Sequence, residues 1–140
     1  MLDKKSIYLN VDLKNKKEIF EFVFDKFKSQ NSVTDQYLNS MIQRDKESSV
    51  AIGNYLFLPH GNFDCSPFVL KNNIIFVSLK DIIKIDNQLI KFVVALALKP
   101  ENQMEAIGNI GIAFSDEDEV KKLVNKKELT IDDILSFLNL

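Results

Sequence analysis

One imidazole, one thiol and one guanidinium make up the scarce reactive inventory of this chain: His60 within YLFLPHGNF, Cys65 shortly after it, and Arg44 one loop upstream. Near pH 7 a neutral imidazole is a nitrogen nucleophile able to carry a phosphoryl group, with one ring nitrogen oriented by a hydrogen bond while the other reacts. Pro59 sets its own φ and holds Leu58 extended, while Gly61 allows a sharp turn and close approach by another molecule. The pattern predicts a ring presented at the C-terminal end of a strand instead of buried. Phosphoryl transfer needs positioning and charge stabilisation, which Arg, Lys, backbone amides or a helix N-terminus can supply. Among the 18 Lys and Arg residues Arg44 is the sole arginine, so it marks a place where a planar, bidentate group would serve and lysine would not.

Other chemistries fit poorly. Pairing Cys65 with His60 gives no recognisable hydrolase nucleophile, and two Cys and His residues in total fall short of the four ligands of structural zinc. The 4 glycines are scattered and build no phosphate loop, which disfavours nucleotide-dependent transfer. Asp132 and Asp133 sit in a helix-capping context. Net charge is −2 with both signs interleaved, so no basic stripe exists for nucleic acid. The longest apolar run, FVVALAL from Phe92, is strand length, against the roughly 20 residues of a membrane span. The start MLDKKSIYL lacks signal-peptide features, and a single cysteine suits a reducing compartment; the expectation is a cytoplasmic protein with no direct membrane insertion.

A length of 140 residues suits one domain, 1–140, with a substantial core. SIYLNV reads as a strand. From Lys16, with Asn15 as cap, Ile19, Phe20, Val23, Phe24 and Phe27 fall at helical spacing, and Tyr37, Leu38, Met41 and Ile42 predict a second helix ending near Arg44. RDKESSVAIGN reads as a loop into the strand YLFLP; NIIFVSL from Asn73 and FVVALAL are further strands. The unbroken apolar character of FVVALAL predicts a central strand covered on both faces, hence three layers. After Pro100 a helix places Met104, Ile107, Ile110 and Phe114 on one side, and Ser115 with Asp118 and Thr130 with Asp133 signal two further helix starts. The predicted class is α+β, a three-layer α/β/α sandwich around a mixed β-sheet in the order β-α-α-β-β-β-α-α-α.

The run RDKESSVAIGNYLFLPHG resembles the active-site segment of the mannitol/fructose type of enzyme IIA (EIIA type 2), a phosphocarrier of the phosphoenolpyruvate-dependent sugar phosphotransferase system. FVVALALKPENQ and the ending SDEDEVKKLVNKKELTIDDILSFL resemble its mannitol-type members in particular. The resemblance implies that His60 accepts a phosphoryl group from the phosphohistidine of HPr and passes it to a cysteine of the sugar-specific IIB domain of a IIB/IIC permease. It implies that Arg44 stabilises the phosphorylated ring and that Asn54 matches a polar, orienting position. Backbone amides around Gly61 are expected to support the phosphoryl group, and no metal, nucleotide or other cofactor is expected. Two departures stand out: Gln103 replaces a second histidine common in mannitol-type members, and Asn62 replaces a frequent threonine. Gln can still hydrogen-bond but cannot titrate. The alternatives are a regulatory module whose His60 phosphorylation controls binding to a protein partner, and an inactive interaction domain.

Overall fold

The computed structural model describes residues 2–140. They run β1 (Ile7–Val11), α1 (Lys16–Ser29), α2 (Tyr37–Glu47), β2 (Ala51–Gly53), β3 (Tyr55–Phe57), β4 (Asn73–Ile85), β5 (Gln88–Ala97), α3 (Pro100–Phe114), α4 (Glu117–Asn125) and α5 (Ile131–Leu138). Single 3-10 turns lie at Lys4–Ser6 and Ser66–Phe68. The strands form one sheet in the order β1-β4-β5-β3-β2. β1 runs parallel to β4 and β3 parallel to β5, whereas β4/β5 and β2/β3 are antiparallel. The sheet is therefore mixed.

Side chains of a strand alternate between faces, and here that alternation divides FVVALAL between two cores. Val93, Ala95 and Ala97 join Phe57, Ile75 and Val77 beneath α1 and α2. Phe92, Val94 and Leu96 join Leu56, Leu58, Ile74 and Phe76 beneath α3, α4 and α5. On the first face, Phe20 meets Phe57 edge-on at 5.6 Å and Phe27 meets Tyr37 at 6.1 Å, the off-parallel geometry that aromatic rings prefer. On the second, Phe92, Phe114 and Phe137 continue the aromatic contact from sheet to helices at 6.2 and 5.1 Å. Three layers, as expected from the doubly buried strand, are what the structure contains. Among the described residues no helix is long and apolar enough to cross a membrane.

Helix starts follow local chemistry. Asn15 caps α1 by accepting from Glu18 N–H at 2.9 Å, and Thr130 with Asp133 completes a reciprocal capping box on α5. The signal at Ser115 belongs one residue later: Asp116 caps α4 through Glu119 N–H, and Ser115 closes α3 instead. An extra strand also appears. Ala51–Gly53, inside the expected loop, pairs with β3 because Gly53, Asn54 and Tyr55 all take positive φ and reverse the chain tightly. β4 and β5 extend past the apolar runs into a hairpin closed by Asp86 and Asn87 at φ 51° and 65°, the positive pair that a tight type I′ turn requires. Met104 does not join the buried side of α3; it is 81% exposed, while Ala106, Ile110 and Phe114 face the sheet.

Gly108 lies in the interior of α3 with nothing within 4 Å of where a Cβ would sit. Gly108→Ala is therefore expected to stabilise the fold by about 0.5–1 kcal/mol, read as a higher urea midpoint at unchanged slope. An unchanged or lower midpoint would show that the glycine has a structural reason.

Candidate functional site

Where β3 ends the chain continues beside β5 for one more contact: Leu96 N–H donates to the Pro59 carbonyl at 2.8 Å, and His60 pairs with Leu96 as an isolated parallel bridge. The backbone on either side of the ring is thus fixed by the sheet. Tyr37, wholly buried at the start of α2, locks the turn that follows. Gly61 N–H donates to the Tyr37 hydroxyl at 3.0 Å, and that hydroxyl donates onward to the Leu96 carbonyl. Burial pushes the phenol pKa up, so the proton needed for that bond stays in place. Gly61 is demanded by space: a Cβ there would fall 2.6 Å from Cys65 Cβ and 2.8 Å from Tyr37 Cε1. Asn62 is tied to α2 as well, its N–H donating to Ser40 Oγ at 3.2 Å and its Oδ1 accepting from that hydroxyl at 2.6 Å.

The ring itself is not held out in solvent as its setting suggested; His60 is only 5% exposed. It folds back because Nδ1 lies 2.7 Å from the Leu58 carbonyl, two residues before it. A carbonyl can only accept, so Nδ1 carries the proton and Nε2 the lone pair. Among the described residues Nε2 has no hydrogen-bond partner, and it is not sealed from solvent. Burial lowers the His60 pKa, the Leu58 bond opposes that, and the charge of Arg44 lowers it further. Burial and Arg44 together outweigh the Leu58 bond, so the ring is a neutral, nucleophilic imidazole at neutral pH.

Arg44 occupies the last turn of α2 and donates from Nη1 to the Ser48 carbonyl at 2.8 Å. Among the described residues no carboxylate forms an ion pair with it. The segment it holds runs beside the residues before His60, since Leu58 N–H donates to the Val50 carbonyl at 2.9 Å. Sequence proximity of Arg44 and His60 is therefore also spatial, and its consequence is the electrostatic effect on the ring.

The remaining expected residues divide. Gln103 sits in the first turn of α3, which opens just after β5 at the His60 end of the sheet; its Oε1 is buried without a partner among the described residues. Asn54 is elsewhere. It turns the β2/β3 hairpin, six extended residues or roughly 20 Å from His60 at about 3.3 Å each, and its amide donates to the Phe114 carbonyl at 2.7 Å. Any effect of Asn54 on His60 runs through the hairpin and not through contact. The Gly61 amide, expected to support a phosphoryl group, is already given to Tyr37. The site roles of Tyr37 and the Leu58 carbonyl carry no sequence signal, because a buried phenol at helical spacing looks like any core aromatic and a carbonyl has no sequence signature.

A family model for the phosphoenolpyruvate-dependent sugar phosphotransferase system, EIIA 2, matches residues 1–139. The chain belongs to that family. This EIIA is 56% identical over 135 residues to the mannitol-specific phosphotransferase enzyme IIA component of Mycoplasma pneumoniae, covering 96% of this chain and 94% of the other. Its fold matches that of crystalline IIA mannitol from Escherichia coli with a TM-score of 0.85 at 20% identity over 99% of both chains. It also matches the complex of enzyme IIA mannitol with phosphorylated enzyme IIB mannitol from Escherichia coli, at TM-score 0.87 and 20% identity over 99% of this chain and 97% of the other. At that identity the two structures establish the α+β fold alone.

As the only histidine of this EIIA, His60 gives self-assigned ring resonances in an NMR titration. The expected midpoint lies below the ordinary 6.5 and moves up toward it in Arg44→Gln. Below pH 6.5 the unfolded chain binds more protons than the folded one, so stability should also fall as pH drops from that value. A midpoint at or above 6.5 would show that burial and the guanidinium do not outweigh the bond to Leu58.

Proposed function

We propose that the chain is the phosphocarrier of a mannitol-type phosphotransferase system. His60 takes a phosphoryl group from phospho-HPr and passes it to a cysteine of the IIB domain of a IIB/IIC permease for uptake of mannitol or a related hexitol. The observation that carries this reading is the single imidazole whose Nδ1–H is bound to the Leu58 carbonyl and whose Nε2 lone pair is unclaimed, next to an arginine with no acid partner. Identity to the mannitol-specific component of Mycoplasma pneumoniae supports the sugar assignment. Likeness to a IIA held against phosphorylated IIB supports the acceptor.

In the forward step Nε2 attacks phosphorus in line. The new Nε2–P bond forms as the donor's N–P bond breaks, and the electron pair leaves with the donor imidazole. In the second step an incoming thiolate attacks the same phosphorus, and the pair returns to Nε2 of His60. Arg44 offsets the charge gathered on the phosphoryl oxygens, a task that positioning and fixed charge perform in such transfers. In this reading Gln103, whose buried Oε1 has no partner among the described residues, orients groups at the site, Gly61 supports it by allowing the close turn, and Asn54 holds the hairpin that carries β3. No metal, nucleotide or other cofactor enters either step, and both fit a cytoplasmic protein.

The test is labelling from phosphoenolpyruvate, enzyme I and HPr. His60→Ala is expected to take up no label, while Arg44→Lys stays folded and is charged more slowly by about 10- to 100-fold. Label in His60→Ala would refute the assignment. Addition of a mannitol-type IIB domain should discharge the labelled protein; label that persists would favour the regulatory reading over the transport one.

A further inference from the structure

Next to Arg44 on α2 stands Asp45, a carboxylate that is 8% exposed and points away from its arginine neighbour into a network of its own. Its Oδ1 accepts from Val50 N–H at 3.0 Å, and its Oδ2 lies 2.7 Å from Lys16 Nζ at the start of α1. Lys16 Nζ also reaches Asp86 Oδ2 at 2.8 Å on the β4/β5 hairpin tip, and that oxygen accepts from Ser49 Oγ at 2.6 Å. Burial works against the charge on Lys16, but the two carboxylates outweigh it and raise its pKa, so the network is ionic at neutral pH. Buried charge persists only where it is paired and hydrogen-bonded. Here both oxygens of Asp45 are used.

Three consecutive residues are clamped by this arrangement. Arg44 binds the Ser48 carbonyl, Asp86 binds the Ser49 hydroxyl, and Asp45 binds Val50 N–H. From Val50 the path continues without a gap: its carbonyl accepts from Leu58 N–H, and the Leu58 carbonyl accepts from His60 Nδ1. Asp45 is thus joined to the reactive ring through two intervening residues, and to Arg44 through the loop that both hold.

We propose that Asp45, held by Lys16, is the positioning residue of the phosphoryl site. It sets the 48–50 loop against Leu58, and through Leu58 it fixes the tautomer and placement of His60. This rests on the reading of His60 and Arg44 as the site.

The experiment compares Asp45→Leu, Asp45→Asn and Ser49→Ala with the parent protein. Transfer rates from phospho-HPr are measured at saturating and limiting donor, and the His60 tautomer is read by nitrogen NMR. Asp45→Leu is expected to slow transfer at saturation by about tenfold or more with KM changed less than about twofold, and to mix the two tautomers. Asp45→Asn keeps an acceptor for Val50 N–H and should recover to within about threefold of the parent. Should Asp45→Leu fail to fold, the exposed Ser49→Ala carries the test, with an expected slowing of about two- to fivefold at unchanged KM. A folded Asp45→Leu with lowered stability but parental rate and tautomer overturns the proposal, as does Asn no better than Leu, or a parental Ser49→Ala where the Leu variant cannot be made. His60→Ala in parallel separates the two readings: label there defeats the site assignment, whatever Asp45 does.

Discussion

The contact between the Leu58 carbonyl and Nδ1 of His60 decides what the ring can do. An imidazole has two nitrogens and, when neutral, one proton; binding one nitrogen to an obligate acceptor leaves the other as the nucleophile. That bond spans only two residues, so it can form only if the backbone from Leu58 to His60 is set in advance. The parallel pairing of β3 with β5, continued by the Leu96–Pro59 bond, sets it from one side, and Val50 sets it from the other. Tyr37 then fixes the exit by linking Gly61 to Leu96.

Burial and charge act together at this site. A ring mostly covered by protein resists protonation, which preserves its lone pair but would also disfavour the negative charge that a phosphoryl group brings. On the proposed reading Arg44, which has no acid partner among the described residues, answers the second problem, and its repulsion of a charged imidazole reinforces the first. Lysine could supply charge, but its point-like ammonium lacks the planar fork that binds several oxygens at once. Lysine is abundant elsewhere in the chain, and on the proposed reading Arg44 stands where lysine would not serve.

Much of this was legible in the residues, for identifiable reasons. FVVALAL is apolar at every position because α1 and α2 cover one set of its side chains and α3 to α5 the other, and that doubled burial shows in a single sequence. Pro59 and Gly61 advertise a defined exit and a tight turn, and the structure uses both. What stayed hidden depends on partners distant in the chain. The strand at Ala51–Gly53 is too short for periodicity, and only its pairing with β3 makes it a strand. Asn54 lies close to His60 in the chain, yet an extended strand carries it to the other end of the sheet. The exposure of Met104 depends on which side of α3 meets the sheet, and the glycines in that helix blur its pattern. Burial of the His60 ring is hardest of all to foresee, because its cause is a backbone carbonyl that any residue at 58 would supply.

The most direct measurement is the identity of the phosphorylated nitrogen, obtained by phosphorus and nitrogen NMR on the protein charged from phosphoenolpyruvate. Scalar coupling of phosphorus to Nε2, with Nδ1 still protonated, is the result this account requires. Coupling to Nδ1 would contradict it, since the bond to Leu58 would then have to break before the chemistry could begin.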